Sequence, residues 1–459
     1  MGLNKILQSG KNLMLVSVAA LSFGMAATPV SAESLRAALA SAYATNPNIA
    51  SALISVKASA EDIAIRRSGK LPTISATADY THGWSVAGGI TSNSDTTSLG
   101  LTYRQTLFDN LKTDAQIEQA RAFSVVATQA LRNAEQNVLL SAATSYFNVI
   151  RDTQLVQLRA ENVAFFRTQK QAATDRLNIG EGTRIEVSQA DARLASSVAS
   201  YKNAITSLQI SQAGYQRWIG HSPQNLGMAY DFNGSLPGSL DQALNLADAQ
   251  HPAIMTAYAQ IRAAQSASDA AAAAFGPTLD LIGSISANSN YGVGSTSVNG
   301  SVRLSLSIPL YAGGALGAGV RQANLNQIKS ELDALATRDQ VRESVISAWN
   351  GVQNANAQIT SAQSAASSSQ LVLNGVIEEQ KVGQRTVLDV LNSRSDLTSS
   401  REILISAQSS KLIASFSLLS SVGRLSAADL NLPVQIRTGQ GYTESVEDIW
   451  SELRSIPNN

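Results

Sequence analysis

The chain has 459 residues, 44% of them hydrophobic, and its 34 basic residues balance its 34 acidic residues to give a formal net charge of zero. This length suits two or three ordinary domains. Nucleic-acid binding is disfavoured because the chain has no excess of basic residues. The chain has no cysteine, which excludes disulfide bonds, thiolate chemistry and lipid attachment through a cysteine.

The first 32 residues have the plan of a secretory signal peptide. Lys5 and Lys11 precede an apolar segment, residues 13–27, and small residues lie just before Glu33. We expect cleavage after Ala32. A membrane anchor is the weaker alternative, because the apolar segment is short and a small-residue cleavage site follows it. We expect no membrane helix in the mature chain, so any part that enters a bilayer would have to be a closed β-barrel.

The mature sequence is an internal duplication. Residues 101–108 match residues 304–311 at an offset of 203 positions (304 − 101), and the helical segments that begin at Ser34 and Ser239 also match. Prolines recur at matching positions, Pro47 with Pro252 and Pro72 with Pro277. We therefore divide the mature chain into a first structural repeat, residues 33–235, a second repeat, residues 236–430, and a C-terminal tail, residues 431–459.

Each repeat contains two segments that alternate apolar with polar residues, the period of a β-strand. They lie at about residues 72–87, 97–108, 277–288 and 300–310, and turns rich in Gly, Ser and Asn join each pair. Such strands fit the wall of a lipid-facing barrel, and two soluble hairpins packed on helices are the alternative. Four strands are too few to close a barrel with a lumen, so the membrane interpretation requires several chains.

Long helical segments follow the strands, at residues 111–178 and 315–382, and shorter helices return at residues 186–219 and 389–422. Each long segment would extend about 100 Å at about 1.5 Å per residue. Ala, Ser, Gln and Asn occupy many surface positions, and small side chains allow close packing on two sides. This composition favours a curved wall of helices, and a plain antiparallel bundle is the alternative.

The turns between the long and the returning helices, residues 178–187 and 381–390, also match. Their paired residues are Gly180 with Gly383, Thr183 with Thr386, and Glu186 with Asp389. The glycine suits a helix end, and a threonine followed three residues later by a carboxylate has the spacing of a capping box. Helix capping is therefore the plain interpretation of both carboxylates.

With these features the chain resembles the TolC family of outer-membrane efflux and type I secretion channels. The resemblance covers the whole mature chain: the duplication, the helix pair and hairpin in each half, SIPLYAGG from Ser307 and VGQRTVLDVL from Val382. It implies a mainly α fold with a membrane β-barrel, in which a homotrimer forms a 12-strand β-barrel on a 12-helix α-barrel. The barrel would contact lipid in the outer membrane of a Gram-negative bacterium, and the helices would extend into the periplasm.

The resemblance also implies a periplasmic gate. By position, Arg385 matches an arginine that bonds an acidic partner, here Glu186, and Asp389 matches one ring of aspartates. Asn392 lies where some members have a second aspartate and Gln380 where some have a tyrosine, and both depart from the family pattern. The tip turns would bind a periplasmic adaptor (membrane fusion) protein through Gly180, Thr183, Gly383 and Thr386.

No other constellation indicates catalysis, a cofactor or a metal. His82, His221 and His251 lie in unrelated segments without metal-ligand spacing, and His251 before Pro252 suits a helix start. We find neither a nucleophile elbow nor a phosphate-binding glycine loop. The sequence therefore predicts a protein that is not an enzyme.

We expect a passive exit duct for drug efflux, and with it antibiotic resistance, or for type I protein secretion. An inner-membrane pump or ABC transporter would supply the energy through the adaptor. Drugs, bile salts, metal ions and whole proteins are the substrate classes that the family carries. The alternative is an exported coiled-coil structural protein that conducts nothing.

Overall fold

The computed structural model describes residues 33–228, 232, 235–291 and 294–447, and the expected signal peptide, residues 1–32, lies outside the described residues. The first half contains α1 (Leu35–Thr45), α2 (Pro47–Arg67), β1 (Thr73–Ala87), β2 (Ile90–Phe108), α3 (Lys112–Asn178) and α4 (Arg184–Ile219). The second half has the same order of elements: α5 (Leu240–Gln250), α6 (Pro252–Ala273), β3 (Thr278–Asn290), β4 (Ser295–Ser307), α7 (Ala315–Lys381) and α8 (Val387–Ser421). A short helix, α9 (Gln440–Val446), lies in the tail.

The four strands form one antiparallel sheet in the order β1–β2–β3–β4, so a single sheet joins the two halves. β2 begins at Ile90 rather than near residue 97, because Gly88 and Gly89, at φ 57° and 81°, make a two-residue turn that keeps Ala87 paired with Ile90. β4 spans Ser295–Ser307 rather than residues 300–310. It ends before Pro309, whose nitrogen has no proton for the ladder.

One face of the sheet is apolar and uncovered. Ile74 on β1, Leu101 on β2 and Leu304 on β4 share this face and are 68%, 47% and 62% exposed. Among the described residues, no α-helix packs across the sheet. The alternative of soluble hairpins packed on helices is therefore wrong for this chain.

The main hydrophobic core lies in the helical part of the molecule. Tyr146 and Phe147 of α3 are buried there, with their rings 6.3 Å from Tyr215 of α4 and 6.0 Å from Phe416 of α8 respectively. By length and composition α8 could cross a bilayer, since its most apolar window has a mean hydropathy of 1.3. Phe416 and Leu419 of this helix are buried in the core, so these two residues serve packing between helices.

The long helices lie side by side in a row. α3 packs against α4 on one side and α8 on the other, and α8 also packs against α7. The order is therefore α4–α3–α8–α7, and α4 also touches α8 toward the tip, where Arg193 bonds Asn392. This arrangement favours the curved wall over the plain bundle, in which the two outer helices would pack on each other.

Short helices continue the returning helices toward the sheet. Asn46 caps α2 by accepting a hydrogen bond from the N–H of Asn48 at 3.0 Å, and its Nδ2 donates to the carbonyl of Trp218 near the end of α4 at 3.3 Å. The end of α8 is also in close contact with the start of α6. A Cβ atom added at Gly423 would lie only 2.8 Å from Cα of His251. α4 with α2, and α8 with α6, thus meet end to end beside α3.

The described part of the tail wraps the helical wall. The N–H of Arg437 donates to Tyr43 Oη of α1 at 2.9 Å, and Tyr442 of α9 donates to Glu61 of α2. The carbonyl of Glu447 accepts a hydrogen bond from Arg67 Nη1 at 2.8 Å. Residues 437–447 therefore tie the short helices of the first half together.

Glu135 joins α3 to the segment after α8. Its side chain is 8% exposed and accepts a hydrogen bond from the backbone N–H of Ala427. Burial raises the pKa of the Glu135 carboxyl group, and the hydrogen bond from Ala427 and the charge of Arg132 oppose that rise. Because the pKa is higher in the folded than in the unfolded chain, stability falls as pH rises from the unfolded pKa through the folded pKa.

We expect Glu135→Gln to raise the thermal unfolding midpoint at pH 7, because glutamine keeps an acceptor for Ala427 without burying a charge. Near pH 4 the variant should match the wild type, since the wild-type carboxyl group is then protonated. Glu135→Leu should cost about 1–3 kcal/mol because the Ala427 N–H loses its partner. Circular dichroism melts in detergent measure all three proteins, and equal losses in both variants would contradict this assignment.

Candidate gate at the helical tip

The two turns at the end of the wall farthest from the sheet have the same backbone structure. Gly180 and Gly383 have φ of 81° and 79°, a region that glycine enters without steric cost. The N–H of Gly383 donates to the carbonyl of Gln380 at 3.1 Å, and that of Gln384 to the carbonyl of Glu379 at 2.9 Å. This pattern, repeated at Gly180, is the Schellman motif that ends a helix.

Both returning helices begin with a capping box, as the spacing predicts. Thr183 and Glu186 exchange side-chain to backbone hydrogen bonds of 3.2 and 3.4 Å, and Thr386 and Asp389 exchange bonds of 3.2 and 2.9 Å. The bonds from the N–H and hydroxyl of Thr386, with a smaller contribution from the charge of Arg385, lower the pKa of Asp389. Asp389 is therefore ionised at neutral pH.

Arg385 and Glu186 are not partners within one chain. Nε of Arg385 donates to Oε2 of Glu379, at the end of α7, at 2.8 Å, and this bond raises the pKa of Arg385. Glu186 lies 3.4 Å from Nη2 of Arg176 at the end of α3. Each tip turn thus carries its own arginine–glutamate pair within one chain, and the pair between Arg385 and Glu186 stays a prediction.

Glu379 is a gate candidate that the sequence interpretation missed. Its position in the sequence could have indicated it. Glu379 lies six residues before Arg385, across a turn that reverses the direction of the chain. In the first turn Arg176 occupies the place that matches Glu379, and it contacts Glu186, ten residues later, which matches Asp389. Both pairs are partly exposed, so each contributes little to stability.

Asn392 connects two helices within the chain. Its Oδ1 accepts a hydrogen bond from Nη2 of Arg193 on α4 at 2.7 Å. Gln380, the second departure from the family pattern, gives its backbone carbonyl to the turn at Gly383. The side chain of Asn392 thus joins α8 to α4, and the backbone of Gln380 supports the tip turn.

Polar contacts above the tip bind α8 to α3. Oδ1 of Asn162 accepts hydrogen bonds from Nε of Arg394 at 3.2 Å and from Oγ1 of Thr398 at 3.0 Å. Nη2 of Arg159 donates to Oε2 of Glu402 at 2.6 Å. Burial raises the pKa of Glu402 and the charge of Arg159 opposes that rise. These contacts would oppose sliding of α8 along α3.

The histidines take part in separate local contacts. His251 caps α6, as its position before Pro252 predicts, by accepting a hydrogen bond from the N–H of Ala253 at 3.2 Å. His221 lies 3.4 Å from the carboxylate of Glu33, and His82 lies beside Asp95 on the sheet. In the described ranges, no group of three or more His, Asp or Glu side chains is placed to hold a metal ion.

Comparison with known proteins gives consistent matches over nearly the whole chain. A family model described as outer membrane efflux protein matches residues 38–221 and 243–424. The outer membrane efflux protein BepC of Brucella suis is 34% identical over 450 residues, which cover 96% of this chain and 97% of that protein. The outer membrane protein TolC of Escherichia coli is 27% identical over 423 residues, which cover 87% and 84% respectively.

A solved structure shares the fold. The CmeC outer membrane channel of Campylobacter jejuni superposes with a TM-score of 0.74. The two chains are 16% identical, and the match covers 90% of this chain and 89% of the channel. At that identity the likeness concerns the fold alone.

We expect Thr386→Ala to loosen the second tip turn without unfolding the protein. Loss of a capping threonine costs about 0.5–2 kcal/mol, so the backbone amides of Asp389 and Val390 should exchange with solvent about 2- to 30-fold faster. Hydrogen–deuterium exchange measures this change. Thr360→Ala, on the exposed middle of α7, is the control, and equal acceleration at the tip in both variants would contradict the capping role.

Proposed function

The chain belongs to the outer membrane efflux protein family, and from this premise we propose that it forms a homotrimeric exit duct with a gate at its helical tip. The protein is an outer-membrane protein of a Gram-negative bacterium and extends into the periplasm. Members of the family are channels rather than enzymes. The trimer, the gate and the partners below are our proposals for this chain.

The observation that carries the proposal is the pair of open edges on an uncovered apolar sheet. Within the described residues β1 and β4 each pair on one side only. In lipid each unpaired backbone group costs several kcal/mol, because no water is present to bond it. Pairing β4 of one chain with β1 of the next satisfies both edges. This head-to-tail contact closes into a ring, and three chains supply twelve strands around a lumen.

The apolar band on the sheet approaches the height of about 25 Å that is typical of barrels in the outer membrane. From Leu306 to Val298 on β4 the apolar face extends about 27 Å along the strand at about 3.4 Å per residue, or about 20 Å once the strand tilts by about 40°. Tyr80 and Trp84 lie toward the outer end of β1 and are 67% and 71% exposed. Aromatic residues at the ends of the band are typical of a barrel in a membrane.

The helical wall would continue the barrel as a tunnel. α3 and α7 have 67 residues each and would reach about 100 Å into the periplasm. Three rows of four helices would give the twelve-helix wall. The alternative of a non-conducting coiled-coil protein leaves the uncovered apolar face of the sheet without a use.

We propose the tip residues as the gate. The gate residues are those that the sequence suggested, Arg385, Asp389, Glu186 and Asn392, and we add Glu379 and Arg176 because they are the intrachain partners of Arg385 and Glu186. Backbone caps hold each turn rigid, whereas the exposed ion pairs are weak and easily exchanged. This combination suits a mouth that a partner opens.

The partners would be a periplasmic adaptor (membrane fusion) protein and an inner-membrane pump or ABC transporter. The adaptor would dock at the tip turns around Gly180, Thr183, Gly383 and Thr386, where the chain is mostly exposed. Energy would come from the inner membrane. Drug efflux and type I protein secretion both fit a duct of this kind.

Planar-bilayer conductance of the detergent-extracted protein tests the proposal. We expect a small wild-type current that rises several-fold in Arg385→Ala and in Glu379→Gln, because each substitution breaks the ion pair at the second tip turn. Lys329→Ala is the control: Lys329 also makes an exposed ion pair on α7, with Asp333, but far from the tip. Its current should equal that of the wild type.

The outcomes separate the pore from the gate. Silence from well-inserted samples of the wild type and of Arg385→Ala would contradict the channel. Currents that are equal in all four proteins would keep the channel and remove the gate from Arg385 and Glu379.

A further inference from the structure

A polar cavity of about 170 Å³ lies between α3, α4 and α8, in the helical wall above the tip. Its lining combines charged side chains with hydroxyl groups from α4 and α8. The lining includes Arg159, Arg193, Ser196, Ser200, Ser399 and Glu402. The cavity lies apart from the tip turns, and Arg193 of its lining bonds the proposed gate residue Asn392.

Positive charge exceeds negative charge at this cavity. Arg159 and Glu402 bond each other directly, so their charges compensate. Arg193 has no carboxylate within 4.0 Å in the part of the chain that the structure describes. Its observed bond is to the amide oxygen of Asn392. Arg193 is exposed to solvent, and a neutral amide accepts its hydrogen bond without supplying a counter-charge from the protein.

The surrounding side chains do not supply the missing negative charge. Arg394 donates to the amide of Asn162 and lies over the ring of Phe165 at 4.9 Å. Arg401 donates to the amide oxygen of Gln370 at 2.7 Å. The neighbouring acidic residues, Glu161 of α3 and Asp396 of α8, are both exposed to solvent and are not part of the cavity lining.

Unused hydrogen-bond donors from two helices line the same cavity. The hydroxyls of Ser196 and Ser200 on α4 and of Ser399 on α8 make no hydrogen bond within the described residues. Nε and Nη1 of Arg193 are likewise without a bonded partner there. A guanidinium fork with several hydroxyls matches a tetrahedral oxyanion, which accepts several hydrogen bonds at once and carries the missing charge.

We propose that this cavity binds a small oxyanion, represented by inorganic phosphate, between Arg193 and Ser200 of α4 and Ser399 of α8. The volume accommodates one such ion with a few waters, each of which needs about 30 Å³. The bound ion ties α4 to α8, beside the Arg159–Glu402 pair that ties α3 to α8. It thereby stabilises the packing of the helical wall just above the tip.

Isothermal titration of phosphate into the full-length protein in detergent tests the site, in a chloride buffer at pH 7 and constant ionic strength. We expect saturable binding of one ion per chain. Arg193→Gln should weaken binding about tenfold or more, because a charge-assisted bond to the ion is lost. Ser200→Leu, which fills the cavity without changing charge, should also weaken it.

Arg217→Gln is the matched control. It removes the same charge from the same helix, about 36 Å away along the axis at about 1.5 Å per residue, where Arg217 lies over Trp218 at 5.0 Å. Its phosphate binding should equal that of the wild type. Absence of saturable binding to the wild type, or equal weakening in Arg217→Gln and Arg193→Gln, would overturn the proposal. If Arg193→Gln does not fold, unchanged binding to Ser200→Leu would overturn it.

Discussion

The backbone hydrogen bonds that one chain cannot make for itself constrain the whole structure. β1 and β4 each have one edge without a partner in the described chain, and the sheet between them exposes its apolar face. Water would hydrogen-bond the backbone groups at the strand edges but would leave the apolar face exposed. Lipid would cover the apolar face but would leave the edges without hydrogen bonds. In the proposed ring, pairing with further copies of the chain would satisfy the edges while lipid covers the face. Because β2 leads into α3 and β4 into α7 after only a few residues, closing the sheet into a ring also places the long helices around one axis.

Strong and weak interactions are separated along the length of the molecule. Around the middle of α3, end-to-end helix contacts and a buried aromatic core hold the helices in place, and the tail crosses the first half. At the tip, backbone caps fix the two turns, but the charged side chains of Arg385 and Glu379 meet in solvent. A rigid turn with exchangeable ion pairs can move as a unit. Between this core and the tip, the wall is held by polar contacts such as that of Arg159 with Glu402.

Local patterns in the sequence predicted the elements and the caps. Alternation located the four strands, and the spacing of Thr386 and Asp389 predicted a capping box that the structure confirms. Residues 91–96, rich in Ser, Thr and Asn, read as a turn, yet they continue β2 because Gly88 and Gly89 already make the turn. Contacts between distant segments gave no sequence signal. Glu135 and Ala427 are 292 residues apart, and Arg193 and Asn392 are 199 apart.

Disulfide cross-linking between chains tests the closed ring most directly, because the chain has no cysteine of its own. Thr77→Cys on β1 would be combined in turn with single cysteines along residues 297–305 of β4, and the membranes oxidised before a denaturing gel. The expected result is covalent trimers, with dimers as intermediates and nothing larger, for the pairs that face each other. The same β4 series combined with Thr102→Cys on the interior strand β2 should give none between chains. Monomers throughout the Thr77 series, or a ladder that continues past the trimer, would contradict closure by three chains.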